Sequence, residues 1–270
     1  MSLKIDLSGK RALVSGVSSG IGSGVARILA QAGCDISGCG LDEFDSAGAQ
    51  HFIESVEKEG GMAEYLSLDL TDPGEIERWV NTARSTMGGI DIIISNAGRN
   101  IFEGLENCTN AAWEECMNLN LASHWRLAKS AYPYLKESGR GVFIITTSNH
   151  AFNTIPDCFP YNIAKAGLVA MVQSLAIEWG PHIRAVGIAP GFVDTPAGRN
   201  WFNTFADPDA ELARTKASHP VNRICSVEEI GALAAFLASE WGGFISGTTI
   251  LADGGRSALM QDGEGYGKYL

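Results

Sequence analysis

The chain has 270 residues, of which 45% are hydrophobic, and this is enough to bury the core of one α/β domain. Its formal net charge is −11, so a nucleic-acid phosphate backbone and an anionic membrane surface are both unfavourable partners. We therefore expect a single domain spanning 1–270 that binds no nucleic acid and no membrane.

Residue usage also disfavours two further classes of protein: those held together by disulfides or a metal, and those with a signal peptide or a membrane span. The six cysteines are scattered, without a CxxC pair or clustered histidines, so neither a disulfide framework nor a metal site is predicted. The opening sequence MSLKIDLSGK has no apolar signal core, and no apolar run approaches the roughly 18 residues of a membrane span. A cytoplasmic location is expected.

Short β-rich stretches alternate with helical patterns along the chain. The predicted strands are RALVS, DISGC, AEYLSL, IDIIIS, GVFIIT, RAVGIA and TTILA. The predicted helices cover 20–32, 45–59, 73–87, 111–137, 161–179 and 227–239. This alternation predicts a doubly wound parallel β-sheet with helices on both faces. Only the stretch from Pro190 to about Asn222 lacks a clear period, and such segments are often lids or binding loops.

The first predicted strand runs directly into the glycine loop SGVSSGIG at 15–22, and a helical pattern follows. Glycines at such a turn let the backbone approach a pyrophosphate, which the helix N-terminus favours. The spacing of Gly16, Gly20 and Gly22 is GxxxGxG rather than the common GxGxxG. Taken alone, the loop is equally consistent with a tight structural turn.

The stretch PYNIAK places Tyr161 and Lys165 four residues apart among small and apolar residues. On a helix these positions share one face, where an ammonium group favours the phenolate form of the tyrosine. The pair therefore indicates acid/base chemistry. The alternative is an ordinary tyrosine cap and a lysine that extends to solvent.

Five motifs together resemble the short-chain dehydrogenase/reductase family: GVSSGIG, SNAG at 95–98, the asparagine of NLNL, YxxxK and PGFVDT at 190–195. Their order and spacing agree with that family over residues 5 to 256. The resemblance implies a Rossmann-type sheet of about seven strands, a nicotinamide cofactor and hydride transfer. It also implies a homodimer or homotetramer that packs the helices 111–137 and 161–179 across an interface.

The resemblance assigns roles within the catalytic segment 148–165 and around it. Tyr161 becomes the acid/base, Lys165 lowers its pKa and binds the nicotinamide ribose, Ser148 steadies the substrate oxygen, and Asn120 holds a water in a proton relay. The implied cofactor contacts are Gly16, Ser18, Ser19, Gly20, Ile21, Gly22, Asp69, Leu70, Asn96, Ala97, Gly98, Tyr161, Lys165, Pro190, Gly191, Val193 and Thr195.

Charge after the second strand favours NAD over NADP. No lysine or arginine lies between Arg27 and Lys58, so a 2′-phosphate has no nearby cation in sequence. Gly40 occupies the position where NAD-using relatives often carry an aspartate. Asp42 is therefore the candidate partner of the ribose hydroxyl, or else a solvated turn acid.

Several polar side chains are candidates for the substrate pocket. They are Arg99, Asn100, Ser148, Asn149, His150, Thr154 and Trp201. This mixture suits a small sugar, polyol or sugar acid. The alternatives are a non-catalytic dinucleotide-binding sensor or scaffold, or a reductase of 3-oxoacyl or steroid substrates. His150 is equally consistent with an incidental loop residue.

We make separate predictions for two further segments of the chain. The aromatic-rich stretch 195–222 is predicted to be a substrate lid, with a helical insert fixed on the core as the alternative. The Gly-rich C-terminal tail 257–270 either is disordered or reaches a neighbouring subunit.

Overall fold

The computed structural model describes residues 4–259, and the central element is a seven-stranded sheet. The strands are β1 Arg11–Ser15, β2 Asp35–Gly40, β3 Ala63–Ser67, β4 Ile92–Ser95, β5 Gly141–Thr146, β6 Ile183–Pro190 and β7 Thr248–Ala252. They lie in the order β3-β2-β1-β4-β5-β6-β7, and every neighbouring pair is parallel. The order reverses between β1 and β4, which is where such sheets bind ligands beyond the strand ends.

Nine α-helices cover the sheet within the described residues. They are α1 Gly20–Gln31, α2 Ala47–Glu57, α3 Pro73–Met87, α4 Asn110–Met117, α5 Ser123–Glu137, α6 Tyr161–Trp179, α7 Pro196–Phe202, α8 Pro208–Ala217 and α9 Val227–Ala238. One buried apolar cluster joins α1, α2 and α9 to one face of the sheet. A second joins α3, α5 and α6 to the other face. The predicted doubly wound fold is confirmed.

The strand predictions agree with the structure because hydrophobic runs mark strands that are covered on both faces. Every residue of β4 and β5 is buried, and these stretches are almost continuously apolar in sequence. None of the helices between residues 4 and 259 has both the length and the apolar character needed to cross a bilayer.

The predicted helix 111–137 is interrupted in the structure. A π-helical turn, Asn118–Ala122, separates α4 from α5. Apolar periodicity did not reveal the interruption, because α4 has only 8 residues, too few for the change of phase at the turn to be recognised. The turn contains Asn120, whose side chain bonds a loop outside the helix. Such turns are frequent at functional sites.

The stretch 190–222 contains two short helices, α7 and α8, where the missing period had suggested irregular structure. Each begins with proline directly after a capping side chain. The Thr195 hydroxyl accepts from the Gly198 amide at 3.1 Å, and Asp207 accepts from the Ala210 amide at 3.0 Å. The dipeptides Thr-Pro and Asp-Pro are thus recognisable helix starts in the sequence. The helices that follow them are too short to show an apolar period.

Candidate active site

The glycine loop between β1 and α1 is closed by backbone packing that only glycine allows. A Cβ atom on Gly22 would overlap the carbonyl oxygen of Gly16, and Gly16 and Gly20 both have positive φ. Ser19 occupies the N-cap position of α1, but its side chain makes no capping bond. The first amides of α1 therefore stay available to an anion such as a pyrophosphate.

The turn after β4 packs directly against this loop. Ser15 accepts through its hydroxyl oxygen from the amides of Asn96 and Ala97, at 2.8 and 3.0 Å. The side chain of Asn96 donates to the Ser15 carbonyl at 3.1 Å and lies against the positions of Gly16 and Gly22. The sequence placed Ser15 at the start of the glycine loop, but it did not predict the bonds of Ser15 to the turn after β4.

Gly40 ends β2, and its neighbours occupy the space that a side chain there would need. A Cβ atom would lie 2.9 Å from the Tyr65 hydroxyl oxygen and 3.0 Å from that of Ser18. The Tyr65 hydroxyl donates to the backbone carbonyl of Asp42 at 2.7 Å. Tyr65 thus holds the exposed turn that carries Asp42, a role that a tyrosine in a β-rich stretch does not reveal.

Asp69 and Leu70 follow β3 at the same edge of the sheet. The Asp69 carboxylate accepts from the Thr71 amide at 2.8 Å, which fixes the turn, while Leu70 is buried. The Leu68 amide bonds the Gly40 carbonyl at 2.9 Å. The predicted contacts after β2 and β3 therefore lie side by side.

Tyr161 begins α6 and is 9% exposed. Burial raises its pKa above the usual range, and a hydrogen bond with the Ser148 side chain acts in the opposite direction. Ser148 follows β5 and is also buried, and its hydroxyl oxygen accepts from the His150 amide at 3.1 Å. Tyr161 therefore carries its proton near neutral pH.

Lys165 lies one turn later on α6 and is 3% exposed. Its Nζ donates to the Thr146 carbonyl at 3.1 Å and lies 5.6 Å from the centroid of the Tyr161 ring. Burial lowers its pKa to about 8. An ammonium group has three donors, so two N–H groups remain for ribose hydroxyls.

Asn120 is completely buried within the π-helical turn. Its Oδ1 accepts from the Arg99 amide at 3.0 Å and its Nδ2 donates to the Arg99 carbonyl at 3.0 Å. A Cβ atom on Gly98 would lie 2.7 Å from that Oδ1 and 3.6 Å from the Lys165 ammonium. Three residues predicted for the site therefore lie close together: Gly98, Asn120 and Lys165.

The donor set fits a dinucleotide. The free amides of α1 suit a pyrophosphate, and the remaining donors of Lys165 suit a ribose.

Comparison with known proteins identifies the family of this chain. Residues 16–257 match the family model described as Enoyl-(Acyl carrier protein) reductase. The chain is 30% identical to 3beta-hydroxysteroid dehydrogenase 1 of Eggerthella lenta, covering 96% of this chain and 99% of that protein. It is also 30% identical to human Dehydrogenase/reductase SDR family member 4, covering 96% and 92%. The chain belongs to the short-chain dehydrogenase/reductase family.

Solved structures agree with this assignment. A 7 alpha-hydroxysteroid dehydrogenase complexed with NADH and 7-oxo glycochenodeoxycholic acid superimposes with a TM-score of 0.86 at 27% identity, covering 94% of this chain and 98% of that one. The protein is thus an oxidoreductase of the short-chain dehydrogenase/reductase family, which uses a nicotinamide cofactor.

In this short-chain dehydrogenase/reductase, the His150 ring contacts the ring of Tyr161. Its ring lies edge-on to Tyr161, with centroids 6.3 Å apart, and to Phe102 at 5.9 Å. Burial first, and the charge of Arg256 second, lower the pKa of His150 to about 4. His150 is therefore neutral near pH 7 and can donate or accept one hydrogen bond there.

Other predicted substrate residues are engaged differently. Arg99 forms an exposed ion pair with Glu115, and Thr154 lies 3.5 Å from Nδ1 of His150. Asn100 is exposed and Asn149 is buried. Trp201 packs in an aromatic cluster formed by Phe192, Trp201, Phe202 and Phe205. His150 is thus the predicted substrate residue with a direct ring contact to Tyr161.

The PGFVDT segment joins β6 to α7 and closes over the glycine loop. A Cβ atom on Gly20 would lie 3.4 Å from Cγ2 of Thr195, and Val193 forms a β-bridge with Cys225. Next to Gly191, His219 accepts through Nε2 from the Phe192 amide at 3.4 Å and donates from Nδ1 to the Thr215 carbonyl at 2.7 Å. His219 was missed because nothing local in sequence links it to β6.

Proposed function

We propose that this enzyme transfers hydride between NAD and a secondary alcohol or ketone of a small polar substrate. The observation that carries the proposal is the buried cluster of Ser148, Tyr161 and Lys165 beside a glycine loop with free helix amides. A binding module without turnover would have no use for a buried, desolvated lysine next to a protonated tyrosine.

The side chains divide the work in the following way. Tyr161 exchanges a proton with the substrate oxygen, and the Ser148 hydroxyl donates a hydrogen bond to the charge that develops on that oxygen. The ammonium group of Lys165 lies 5.6 Å from the centroid of the Tyr161 ring, where its charge would favour the phenolate against the burial that holds the proton on Tyr161. Asn120 holds the backbone of Arg99 beside Gly98. The nicotinamide, when bound, accepts or supplies the hydride.

Preference for NAD is supported by the absence of cations near the end of β2. No lysine or arginine lies between Arg27 and Lys58, and Arg27 itself pairs with Glu228. Asp42 is exposed on the turn that Tyr65 holds in place. A 2′-phosphate there would meet carboxylates rather than a cation.

Cofactor choice is tested by comparing kcat/KM for NAD and NADP. We expect a clear preference for NAD, and Leu41→Arg should shift the ratio towards NADP because the guanidinium supplies a bidentate phosphate partner. Gln31→Arg adds the same charge at the opposite end of α1 and is the matched control. A parent enzyme that prefers NADP would refute the assignment.

The reaction class is tested by following reduced-nicotinamide absorbance with sugars, polyols, sugar acids and keto acids. Turnover of a polar alcohol or ketone supports the proposal. A second candidate substrate is a steroid ketone or alcohol, because two proteins that this chain resembles are hydroxysteroid dehydrogenases. A steroid therefore belongs in the panel. Cofactor binding without turnover of any member would favour a sensor or scaffold.

We also propose that the enzyme works as a homodimer or homotetramer. Large apolar side chains are exposed on α4, α5 and α6, including Trp113, Trp125, Ile163 and Ile177. An apolar surface of this kind is typical of a face that another subunit covers. Light scattering coupled to size-exclusion chromatography tests the proposal, and a monomer at all concentrations would contradict it.

A further inference from the structure

Within residues 4–259, a half-buried arginine next to the proposed substrate side of the site has no ion-pair partner. Arg256 begins the short 3₁₀-helix Arg256–Ala258, which follows β7. Within residues 4–259 no carboxylate oxygen lies within ion-pair distance of its guanidinium. The nearby Asp253 uses both oxygens on backbone amides, accepting from Gly255 at 3.0 Å and from Ser257 at 2.8 Å.

The 3₁₀-helix is fixed to the catalytic loop on one side. The side chain of Asn153 donates to the Ser257 carbonyl at 2.8 Å, and Asn153 belongs to the loop that carries Ser148 and His150. Because His150 lies against the Tyr161 ring, Arg256 is joined to the catalytic tyrosine through a short series of contacts. Its position is set by the same loop that presents the catalytic serine.

On its other side, the segment before Arg256 packs against the end of the α7 and α8 region. The Val221 amide bonds the Gly254 carbonyl at 3.3 Å, and a Cβ atom on Gly255 would lie 3.1 Å from Cγ of Pro220. Arg256 therefore stands between the catalytic loop and the segment predicted to cover the substrate.

Among the groups around Arg256, the Asp253 carboxylate favours the charged form of the arginine, but no ion pair joins the two within the described residues. His150 and His219 both have lowered pKa values, chiefly because they are buried and in part because of the charge of Arg256, so both imidazoles are neutral near pH 7. The other cation whose field reaches Arg256 is Arg214, which is already paired with Glu211 at 2.8 Å. A half-buried cation without a counter-charge is costly unless a ligand supplies one.

We propose that Arg256 binds a carboxylate group of the substrate and so orients the reacting alcohol or ketone towards Tyr161. A guanidinium presents a planar fork that matches a carboxylate in bidentate geometry, and His150 supplies a neutral hydrogen-bonding group beside it. The inference rests on the proposed function and narrows it. Among polar substrates, the enzyme should select acids over neutral sugars and polyols.

Two ketones that differ only in this charge test the inference: 3-oxocyclohexane-1-carboxylate and 3-oxocyclohexane-1-carboxamide, each reduced with NADH. Parent enzyme should show a kcat/KM at least about tenfold higher for the carboxylate, the usual effect of a charge-assisted hydrogen bond. Arg256→Gln should raise KM for the carboxylate about tenfold or more, with kcat and the carboxamide constants little changed.

Two further variants make the comparison specific. Arg256→Lys keeps the charge but loses the fork, so it should restore only part of the preference for the carboxylate. Arg140→Gln removes an exposed arginine that pairs with Glu240 elsewhere on the surface, and its constants should match those of the parent. Equal kcat/KM values for the two ketones in the parent enzyme would overturn the inference.

A binding measurement separates this inference from the proposed reaction. Calorimetric titration with cyclohexanecarboxylate in the presence of NAD needs no turnover, and Arg256→Gln should weaken it about tenfold or more. If neither ketone is reduced but the titration shows this loss, the anion site stands and the proposed reaction fails. Absence of carboxylate binding to the parent enzyme would overturn the inference.

Discussion

The cofactor side of the site and its substrate side are built in opposite ways. Around the glycine loop, β1, β4 and β5 are buried, and side chains such as Ser15 and Asn120 bond the backbone directly. On the substrate side, α7 and α8 are short, and their ion pairs and aromatic rings are partly exposed. In the proposed function, the acid/base chemistry lies in this buried, rigid half, while recognition lies on α7 and α8, the proposed cover of the substrate.

The two sides also differ in the interactions that stabilise them, as α7 shows. The pair Arg199 and Asp194 anchors α7 with two bonds of 2.7 and 2.9 Å, yet the arginine side chain is 72% exposed. Solvent screening leaves such a pair with little net stabilisation. Burial of Phe202 and packing of its aromatic neighbours therefore contribute most of what holds α7 in place.

The largest effect is expected at the rigid half, where Tyr161→Phe removes the transferable proton. We expect kcat to fall by about 10³-fold or more while the dissociation constant of NAD stays nearly unchanged. Steady-state kinetics and a cofactor titration measure the two quantities. Tyr132→Phe removes a hydroxyl from a tyrosine that packs on Trp179 and is the matched control. Near-normal turnover of the Tyr161 variant would refute the acid/base role.

The next effect concerns the closed glycine loop. Gly22→Ala must displace the Gly16 carbonyl, so it should weaken NAD binding by about 100-fold, a cost of roughly 3 kcal/mol. Gly60→Ala is the control, because Gly60 has a φ of 86° but no atom within 4 Å of an added Cβ. The control should lower stability without changing the dissociation constant. Equal NAD affinity in the parent and Gly22→Ala would show that the loop tolerates a side chain.

A smaller effect is expected on the substrate side, if 195–222 acts as a lid. NAD with a substrate analogue should slow amide hydrogen exchange across 196–205 far more than in β4 or β5. Trp201→Ala should raise substrate KM several-fold and spare NAD affinity, because Trp201 packs among Phe192, Phe202 and Phe205. Equal protection with and without ligands would favour a fixed helical insert instead.

The last effect concerns the pH dependence of stability in the rigid half. His124 is buried on α5, with Nδ1 2.7 Å from the Ser95 hydroxyl oxygen, and burial lowers its pKa to about 3. Its neutral form is therefore favoured by folding. The resulting stability is fully present above the unfolded pKa of about 6.5 and is lost as pH falls towards 3.

Denaturant unfolding at several pH values measures this dependence. Between pH 6 and 4 the parent should lose about 1.4 kcal/mol per pH unit more than His124→Gln. Above pH 7.5 the two proteins should show the same slope, which serves as the internal control. Identical slopes at low pH would mean that His124 becomes protonated without unfolding.

The sequence predicted most of the rigid half, which surrounds the glycine loop, and little of the proposed cover formed by α7 and α8. β-rich stretches between helical patterns located all seven strands, and the fully buried strands β4 and β5 are almost continuously apolar. The glycine loop, Tyr161 and Lys165 were identifiable because each lies within a few residues of its functional neighbours. Tyr65, His219 and Arg256 were not, because their partners are brought near only by packing between distant segments.

The π-helical turn Asn118–Ala122 makes the site sensitive to chain length at one place. A π-turn accommodates one residue more than an α-helical turn. Deleting a single residue there would let α4 and α5 merge into one regular helix and rotate one relative to the other by about 100°, since each α-helical residue turns the chain by that angle. The Asn120 amide would then point away from Arg99. Substitutions can be absorbed locally, but the contact between Asn120 and Arg99 depends on this one additional residue.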